Sequence, residues 1–262
     1  MPRLIYFLVY FFTVTPTFIA TLWVLETLRL PGRRAISVRY YRALCGFLRV
    51  RINVVGTPMR DHPTLILSNH VSWLDIPVIS AIMPIAFVAK REVASWPVVG
   101  IAAKLLRTVF VDRARRLQTA EANAEIARRL TEGDPVVLFA EGTSSDGNHV
   151  LEFRSALIGA VTHLETNQQI MLQPVSIAYT RTQGIAMGRQ HRPLVAWYGD
   201  IEFAPHFKRF LDRCAVDVVV TFGQPVPFDH SIDRKTVART FENKVRELMA
   251  ATLRDRAVET VM

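Results

Sequence analysis

The 262-residue sequence has only two cysteines, Cys45 and Cys214, and they lie far apart in the chain. Neither belongs to a C-x-x-C pair, so the sequence favours neither a disulfide framework nor a cysteine-ligated metal site. We interpret both as buried, reduced thiols, which suits a protein that faces the cytosol. We expect no metal and no cofactor.

Several motifs of common enzyme classes are also missing. The chain has no G-x-G-x-x-G and no P-loop, which argues against a nucleotide-binding enzyme. A serine hydrolase would need a G-x-S-x-G turn. The segment from Gly142 to Gly147 has one residue too many for that turn, and no other segment fits.

Acidic residues are absent between Thr27 and Arg60, where eight arginines carry most of the net charge of +9. This basic stretch follows a run of 22 uncharged, mostly apolar residues from Leu4 to Leu25. About 20 apolar residues are enough to cross the hydrocarbon core of a bilayer. The two features together predict a membrane segment with a basic flank.

A secretory signal peptide is the alternative, but its apolar core would be roughly 7–15 residues long and would end at a small-residue cleavage site. The observed run is longer and no A-x-A site follows it, so we expect a retained membrane segment. Pro16 lies in mid-run, which leaves open whether the segment crosses the bilayer or embeds in one leaflet.

The position of the arginines predicts orientation and partners. Basic flanks lie on the cytoplasmic side, so we expect an active domain that faces the cytoplasm from the inner membrane. Anionic head groups attract such a cluster. Nucleic acid is the other common partner of a basic patch. Because the patch adjoins an apolar segment, we expect lipid and no nucleic acid.

Residues 35–48 have the pattern of a second, amphipathic helix after a turn at Pro31-Gly32, so residues 1–49 read as a two-helix membrane module. From residue 50 to 262 short β-rich runs alternate with helical patterns. This alternation predicts an α/β domain with a mixed, largely parallel sheet flanked by helices. The predicted strands are Val50–Val55, Thr64–Leu67, Ala86–Ala89, Thr108–Val111, Val136–Phe139, Met171–Ala178, Leu194–Tyr198 and Val216–Phe222, and the clearest helices are Leu117–Leu130 and Arg234–Leu253.

His70 and Asp75 follow the predicted strand Thr64–Leu67, at a strand end where α/β proteins bind ligands. On one continuous helix, five residues of separation would place the two side chains about 140° apart. If the helix begins at Ser72, with Asp75 as its capping partner, His70 lies outside it and the carboxylate can reach the imidazole. Taken alone, the residues also fit a capping carboxylate and a solvated histidine.

Two further polar segments follow predicted strands. Glu141 comes soon after four apolar residues, where a carboxylate is costly unless it is paired. Its surroundings, Gly142, Thr143 and Ser145, also fit an ordinary turn. Arg113 follows another strand and could bind a phosphate through its planar donor fork, or be a surface arginine.

In this order the segments resemble the four blocks of the glycerolipid acyltransferase family, which includes the bacterial 1-acylglycerol-3-phosphate acyltransferases. The blocks, N-H-x-x-x-x-D, F-I-x-R, E-G-T-x-S and a short proline strand, are matched by Asn69 to Asp75, Phe110 to Arg113, Glu141 to Ser145, and Gln173 to Val175. The resemblance covers about residues 50–225. Single blocks are weakly specific, whereas four in order are highly specific.

The resemblance implies transfer of a fatty acyl group from acyl-CoA or acyl-carrier protein to the hydroxyl of a lysolipid. His70 would be the general base, Asp75 would orient it, and no acyl-enzyme would form. Backbone N–H groups near Ser72 would hold the oxyanion. The residues expected to bind substrate are Asn69, Arg113, Glu141, Gly142, Thr143, Ser145 and Arg154.

The expected acceptor is 1-acyl-sn-glycerol-3-phosphate, with phosphatidic acid as the product. Two departures bear on it: Arg107 stands where the second block usually has glycine, and Ser144 stands where the third block often has an arginine thought to hold phosphate. Arg113, Arg107 or Arg154 would have to substitute for that arginine. Otherwise the acceptor is one without a simple phosphate, such as a lyso-ornithine lipid. A membrane-anchored lipid-binding protein without catalysis is the remote alternative.

Overall fold

The computed structural model of the protein describes residues 2–111, 116–163, 169–213, 215–229 and 231–254. Among them, α1 (Pro2–Thr27) and α2 (Arg33–Phe47) form an N-terminal hairpin that turns at Gly32, whose φ of 112° favours glycine. The Phe18 and Tyr40 rings stack with centroids 3.9 Å apart, and the Thr15 hydroxyl lies 2.8 Å from the Tyr40 hydroxyl. The predicted two-helix hairpin is therefore present.

One stripe of α1 packs on the protein while the rest of the helix is exposed and apolar. Phe18 is buried against Tyr40 and Tyr41 of α2, Leu22 is fully buried, and Phe7 meets Phe207 of a later helix edge to face. The stretch Arg3–Thr27 has a mean hydropathy of 1.8 over its most apolar 18-residue window, which is long and apolar enough to cross a membrane.

Nine strands form the sheet in the described residues: β1 (Val50–Val55), β2 (Thr64–Ser68), β3 (Ala86–Lys90), β4 (Val109–Val111), β5 (Val136–Phe139), β6 (Met171–Thr182), β7 (Ile185–Ala186), β8 (Val216–Phe222) and β9 (Val226–Pro227). The main order is β1-β8-β6-β2-β5-β3-β4, with β7 and β9 on β6. Strands β6, β2, β5, β3 and β4 run parallel, whereas β8 is antiparallel to β6 and parallel to β1. The predicted mixed, largely parallel sheet is confirmed.

Helices cover both faces of the sheet, as the apolar strands β2 and β5 require. The helices α3 (Asp75–Ile82) and α6 (Phe203–Arg213) join α2 in one apolar core. The helices α5 (Arg116–Thr131) and α7 (Arg234–Arg254) form the core of the other face. A short helix, α4 (Val99–Leu105), precedes β4. The parallel strands deliver their carboxyl ends, and the loops that carry His70 and Glu141, to one edge.

One predicted strand is wrong. Residues 195–198 are not in a strand, and a short 3-10 helix spans Arg192–Leu194 just before them. The backbone N–H groups of Val195 and Ala196 both bond to the Arg192 carbonyl, and that of Trp197 bonds to the Val71 carbonyl. These donors are therefore used within a loop that packs on the segment containing His70, and they are not available for a strand ladder.

Candidate active site

The loop after β2 is pinned to the neighbouring strand by the Asn69 side chain. Its Oδ1 accepts the Ile177 N–H at 2.8 Å, and its Nδ2 donates to the Ile177 carbonyl at 3.0 Å. Asn69 is completely buried. Its amide thus completes the β2–β6 pairing beyond the last strand residue, and the expected contact of Asn69 with substrate stays a prediction.

Asp75 folds the loop back on itself. Its Oδ2 accepts the backbone N–H groups of Val71 at 2.6 Å and Ser72 at 2.9 Å, and its own N–H bonds to the Ser72 carbonyl. The regular helix begins at Asp75 and not at Ser72, whose buried hydroxyl has no partner among the described residues. The expected cap at Ser72 is therefore half present: the carboxylate reaches back, but the serine hydroxyl does not cap.

This geometry also bears on the expected oxyanion site. The N–H groups of Val71 and Ser72 point at the Asp75 carboxylate at hydrogen-bonding distance. A donor engaged by a buried carboxylate is not free to stabilise a developing charge elsewhere. The Val71 and Ser72 N–H groups thus orient the carboxylate, and an oxyanion site at other N–H groups near Ser72 stays a prediction.

His70 lies where Asp75 can hold it. Its Nδ1 is 2.7 Å from Asp75 Oδ2, and its ring stacks on Phe139, with centroids 4.1 Å apart and 15° between planes. Because Oδ2 already accepts two N–H groups, Nδ1 is the proton donor and Nε2 carries the lone pair. The side chain keeps a fifth of its surface exposed, whereas Asp75 has none. The pair combines a fixed, accessible imidazole with a sheltered carboxylate.

Tyr179, which no sequence motif singled out, completes the environment of Asp75. The Tyr179 hydroxyl donates to Asp75 Oδ1 at 2.8 Å from the buried end of β6. Burial and the neighbouring carboxylate raise the pKa of Tyr179 well above its usual value, so the phenol stays protonated. The sequence pattern that could have pointed to Tyr179 is alternation along the strand, because Val175, Ile177 and Tyr179 lie on the same face of β6.

The loop after β5 covers the other side of His70. The Ser145 N–H donates to the His70 carbonyl at 2.8 Å, and Ser145 is buried. Gly142 has a φ of 75°, and Thr143 is exposed. The E-G-T-x-S segment thus lies against residues 69–74, the loop after β2 that carries His70 and is called the histidine loop.

Glu141 is buried with little compensation. One oxygen accepts the Leu151 N–H at 3.2 Å, and the other has no partner among the described residues. Burial is the main cause that raises the pKa of Glu141 to about 8, against the opposing effect of backbone donors from Leu151 and His70. The side chain is therefore mostly a neutral acid at pH 7, beside the histidine loop.

Ser144 offers no positive charge at the position where the resembled family often has arginine. Its hydroxyl donates to the Trp197 carbonyl, and the Trp197 N–H donates to the Val71 carbonyl at 3.0 Å. The serine thus joins the loop after β5 to the 195–198 loop and to the histidine loop.

The arginines expected to bind a phosphate are separated by the fold. Arg107 lies at the amino end of β4, at the opposite edge from His70, where it pairs with Asp134 at 2.6 Å and with Glu132. It therefore lies away from the loops around His70. Arg154 is exposed, and its backbone N–H bonds to the Ala140 carbonyl, which places it near the site. Arg113 lies outside the described residues.

An aromatic cluster flanks the site on its apolar side. Trp73, three residues after His70, meets the rings of Phe203, Phe207 and Phe210 of α6 at centroid distances of 5.8, 5.3 and 5.5 Å. Phe203 is 38% exposed, whereas Phe210 is fully buried. The loop that carries His70 therefore adjoins apolar surface on the side where α1 contacts Phe207.

Comparison with known proteins identifies the family of the chain. A family model described as Acyltransferase matches residues 51–178. A lyso-ornithine lipid O-acyltransferase of Brucella abortus is 48% identical over 86% of each chain, and one of Rhizobium meliloti is 40% identical over 92% of this chain and 82% of its own. A 1-acyl-sn-glycerol-3-phosphate acyltransferase of Neisseria gonorrhoeae is 30% identical over 75% of this chain and 74% of its own.

Among solved structures, a 1-acyl-sn-glycerophosphate acyltransferase of Thermotoga maritima has the same fold, with a TM-score of 0.64 over 96% of this chain and 95% of its own, at 20% identity. The matched residues 51–178 include His70, Asp75, Glu141 and the strand β6 up to Ala178. The chain belongs to the acyltransferase family of lysolipid O-acyltransferases that the sequence blocks resemble.

Proposed function

We propose that the chain transfers an acyl group from a thioester to the hydroxyl of a lyso-ornithine lipid, with His70 as the general base. The main support for this proposal is the 2.7 Å contact between His70 Nδ1 and Asp75 Oδ2, which leaves Nε2 to take a proton. Four relatives that are 30–48% identical to this chain are named lyso-ornithine lipid O-acyltransferases.

The chemistry needs no nucleophile from the protein. Nε2 takes the proton of the lipid hydroxyl as its oxygen bonds to the thioester carbonyl carbon. The tetrahedral intermediate then collapses, the carbon–sulfur bond breaks, and the thiolate leaves with the proton from His70. The products are an ester and a free thiol. Asp75 stabilises the imidazolium that forms between the two steps.

The donor is a thioester of coenzyme A or of acyl-carrier protein. Glu141, Gly142, Thr143 and Ser145, which lie in the loop against His70, are proposed to position the acceptor together with Arg154.

Ser144 supports an acceptor without a simple phosphate. A serine whose hydroxyl is used by the Trp197 carbonyl supplies neither charge nor a free donor to an anionic head group. The second candidate acceptor is 1-acyl-sn-glycerol-3-phosphate, which the sequence blocks favour and which the names of the gonococcal and meningococcal relatives contain.

The apolar, exposed side of α1 and the arginines that follow it support a place at an anionic membrane surface, facing the cytoplasm at the inner membrane. The exposed Ile5, Phe12 and Trp23 each keep more than half of their surface accessible. A lysolipid acceptor and its product would both reside in that membrane.

The acceptor is tested by offering lyso-ornithine lipid and 1-acyl-sn-glycerol-3-phosphate in parallel, each with labelled acyl-CoA or acyl-carrier protein. Lyso-ornithine lipid is expected to have the higher kcat/KM, and the reverse order would select the second acceptor. His70→Ala is expected to abolish transfer to both, and transfer near the wild-type rate would refute the proposed base. Ser144→Arg is expected to raise activity towards the phosphate-bearing acceptor, with Ser144→Ala as the control.

A further inference from the structure

Both oxygens of Asp75 are occupied, and they have different partners. Oδ2 faces His70 Nδ1 and the backbone N–H groups of Val71 and Ser72. Oδ1 faces the Tyr179 hydroxyl at 2.8 Å. The phenol thus adds a hydrogen bond on the Oδ1 side, and together with the donors on Oδ2 it fixes the plane of the carboxylate.

The fold brings Tyr179 to this place by register. Asn69 fixes the histidine loop to Ile177 of β6, and Tyr179 lies two residues further on the same face of that strand. The distance between the histidine loop and the phenol is therefore set by the same strand that supports the loop. Tyr179 is 2% exposed, so it does not contact either substrate.

We propose that Tyr179 is a positioning residue of the acyl-transfer reaction. Its hydroxyl holds Asp75 so that Oδ2 points at His70, and the same hydrogen bond withdraws charge from the carboxylate. The inference rests on the proposed role of His70 as the base. Each additional donor on a carboxylate reduces the negative charge that the imidazole feels. Tyr179 therefore moderates the basicity of His70 as well as its orientation.

Few other titratable groups face Tyr179 and Asp75. The Cys45 thiol of α2 lies near Tyr179, but burial raises its pKa to about 12, so it stays neutral. Glu141 lies near Asp75, and its pKa of about 8 falls inside the pH range of an activity assay. Because Glu141 is present in both proteins, a difference between wild type and a Tyr179 variant isolates the phenol.

Tyr179→Phe keeps the ring and removes only the hydroxyl. We expect kcat to fall about tenfold, as for the loss of one hydrogen bond to a charged group, with KM unchanged. We also expect the ascending limb of the pH profile of kcat/KM to move up by about 0.5–1 pH unit, because the carboxylate that has lost a donor holds the imidazolium more tightly. The matched control is Tyr40→Phe, which removes a 2.8 Å hydroxyl contact to Thr15 in the α1–α2 hairpin.

The outcomes separate the two hypotheses. If His70→Ala is inactive and Tyr179→Phe shifts the limb while Tyr40→Phe does not, the proposal holds. If His70→Ala is inactive but Tyr179→Phe has the wild-type pH profile, Tyr179 is only a packing residue and the inference is wrong. If His70→Ala stays active, His70 is not the base, and the inference about Tyr179 is refuted together with the proposed function. A shifted KM would equally overturn the proposal, because it would mean that Tyr179 affects binding.

Discussion

Replacing Asp75 with asparagine keeps the volume of the side chain, removes its charge and changes every hydrogen bond that the side chain makes. Three donors point at Oδ2, so the asparagine oxygen must take that position and the amide nitrogen must face Tyr179. Each of the three bonds then passes from a charged to a neutral acceptor, a loss of about 1 kcal/mol each and about 3 kcal/mol in all. The loop should survive but be less stable.

The effect on catalysis is larger. His70 becomes an imidazolium during the reaction, with Nδ1 2.7 Å from the carboxylate oxygen. Unit charges about 4 Å apart interact by about 4 kcal/mol at an effective dielectric constant of 20, and this corresponds to roughly 10³-fold in rate. We therefore expect Asp75→Asn to lower kcat by about 10³-fold.

The assay is single-turnover transfer of a labelled acyl group, which reports chemistry separately from product release. The exposed Asp61, which precedes the amino end of β2, provides the control variant Asp61→Asn. If Asp75 acts only through His70, the double variant His70→Ala/Asp75→Asn should be no slower than His70→Ala alone. A rate for Asp75→Asn within tenfold of wild type would refute the reasoning, because the imidazolium would then not depend on this carboxylate.

Glu141→Gln should flatten the pH dependence of stability. In the wild type the pKa of Glu141 is raised to about 8, so the folded chain keeps a proton that the unfolded chain releases. The free energy of unfolding of the wild type should therefore fall between about pH 5 and 8, by up to ~1.4 kcal/mol per pH unit. Equal slopes in denaturant titrations of both proteins would contradict this. Asp134→Ala removes the buried carboxylate that Arg33, Arg34 and Arg107 share and should cost about 2–3 kcal/mol in the same titrations, against a change within about 0.5 kcal/mol for Asp61→Asn. Phe12→Lys, on the exposed side of α1, should weaken sedimentation with anionic vesicles, whereas Ile232→Lys, an exposed apolar residue before α7, should not; equal binding of both would contradict a membrane-facing α1.

The parallel core of the sheet was accessible from sequence because its strands are short apolar runs bounded by polar turns. Val50–Val55, Val136–Phe139 and Val216–Phe222 match their predicted bounds residue for residue. The segment Leu194–Tyr198 has the same composition but is not a strand. Its backbone donors bond within the loop and to Val71, and this competition is tertiary and leaves no local pattern.

The residues of the candidate site could be selected from the sequence, but several of their hydrogen-bond partners could not. The loops at the strand ends placed His70, Asp75 and Glu141 at one edge, as expected. The partner of Asp75 on β6 is 104 positions away in the chain, and no spacing rule connects them. The use of the Val71 and Ser72 N–H groups by Asp75 was equally hidden, because a capping pattern does not say which member of the box supplies the acceptor.

The two departures from the family blocks have different physical meanings. Arg107 has a φ of 64°, a conformation that costs a non-glycine residue about 1–2 kcal/mol, which explains why glycine is usual there. The arginine offsets this cost by its pairing with the buried Asp134, which also binds two arginines of α2. The change at 107 is therefore a matter of stability at the far edge of the sheet. Only Ser144 lies among the loops around His70, so the acceptor preference should follow position 144 and be indifferent to position 107.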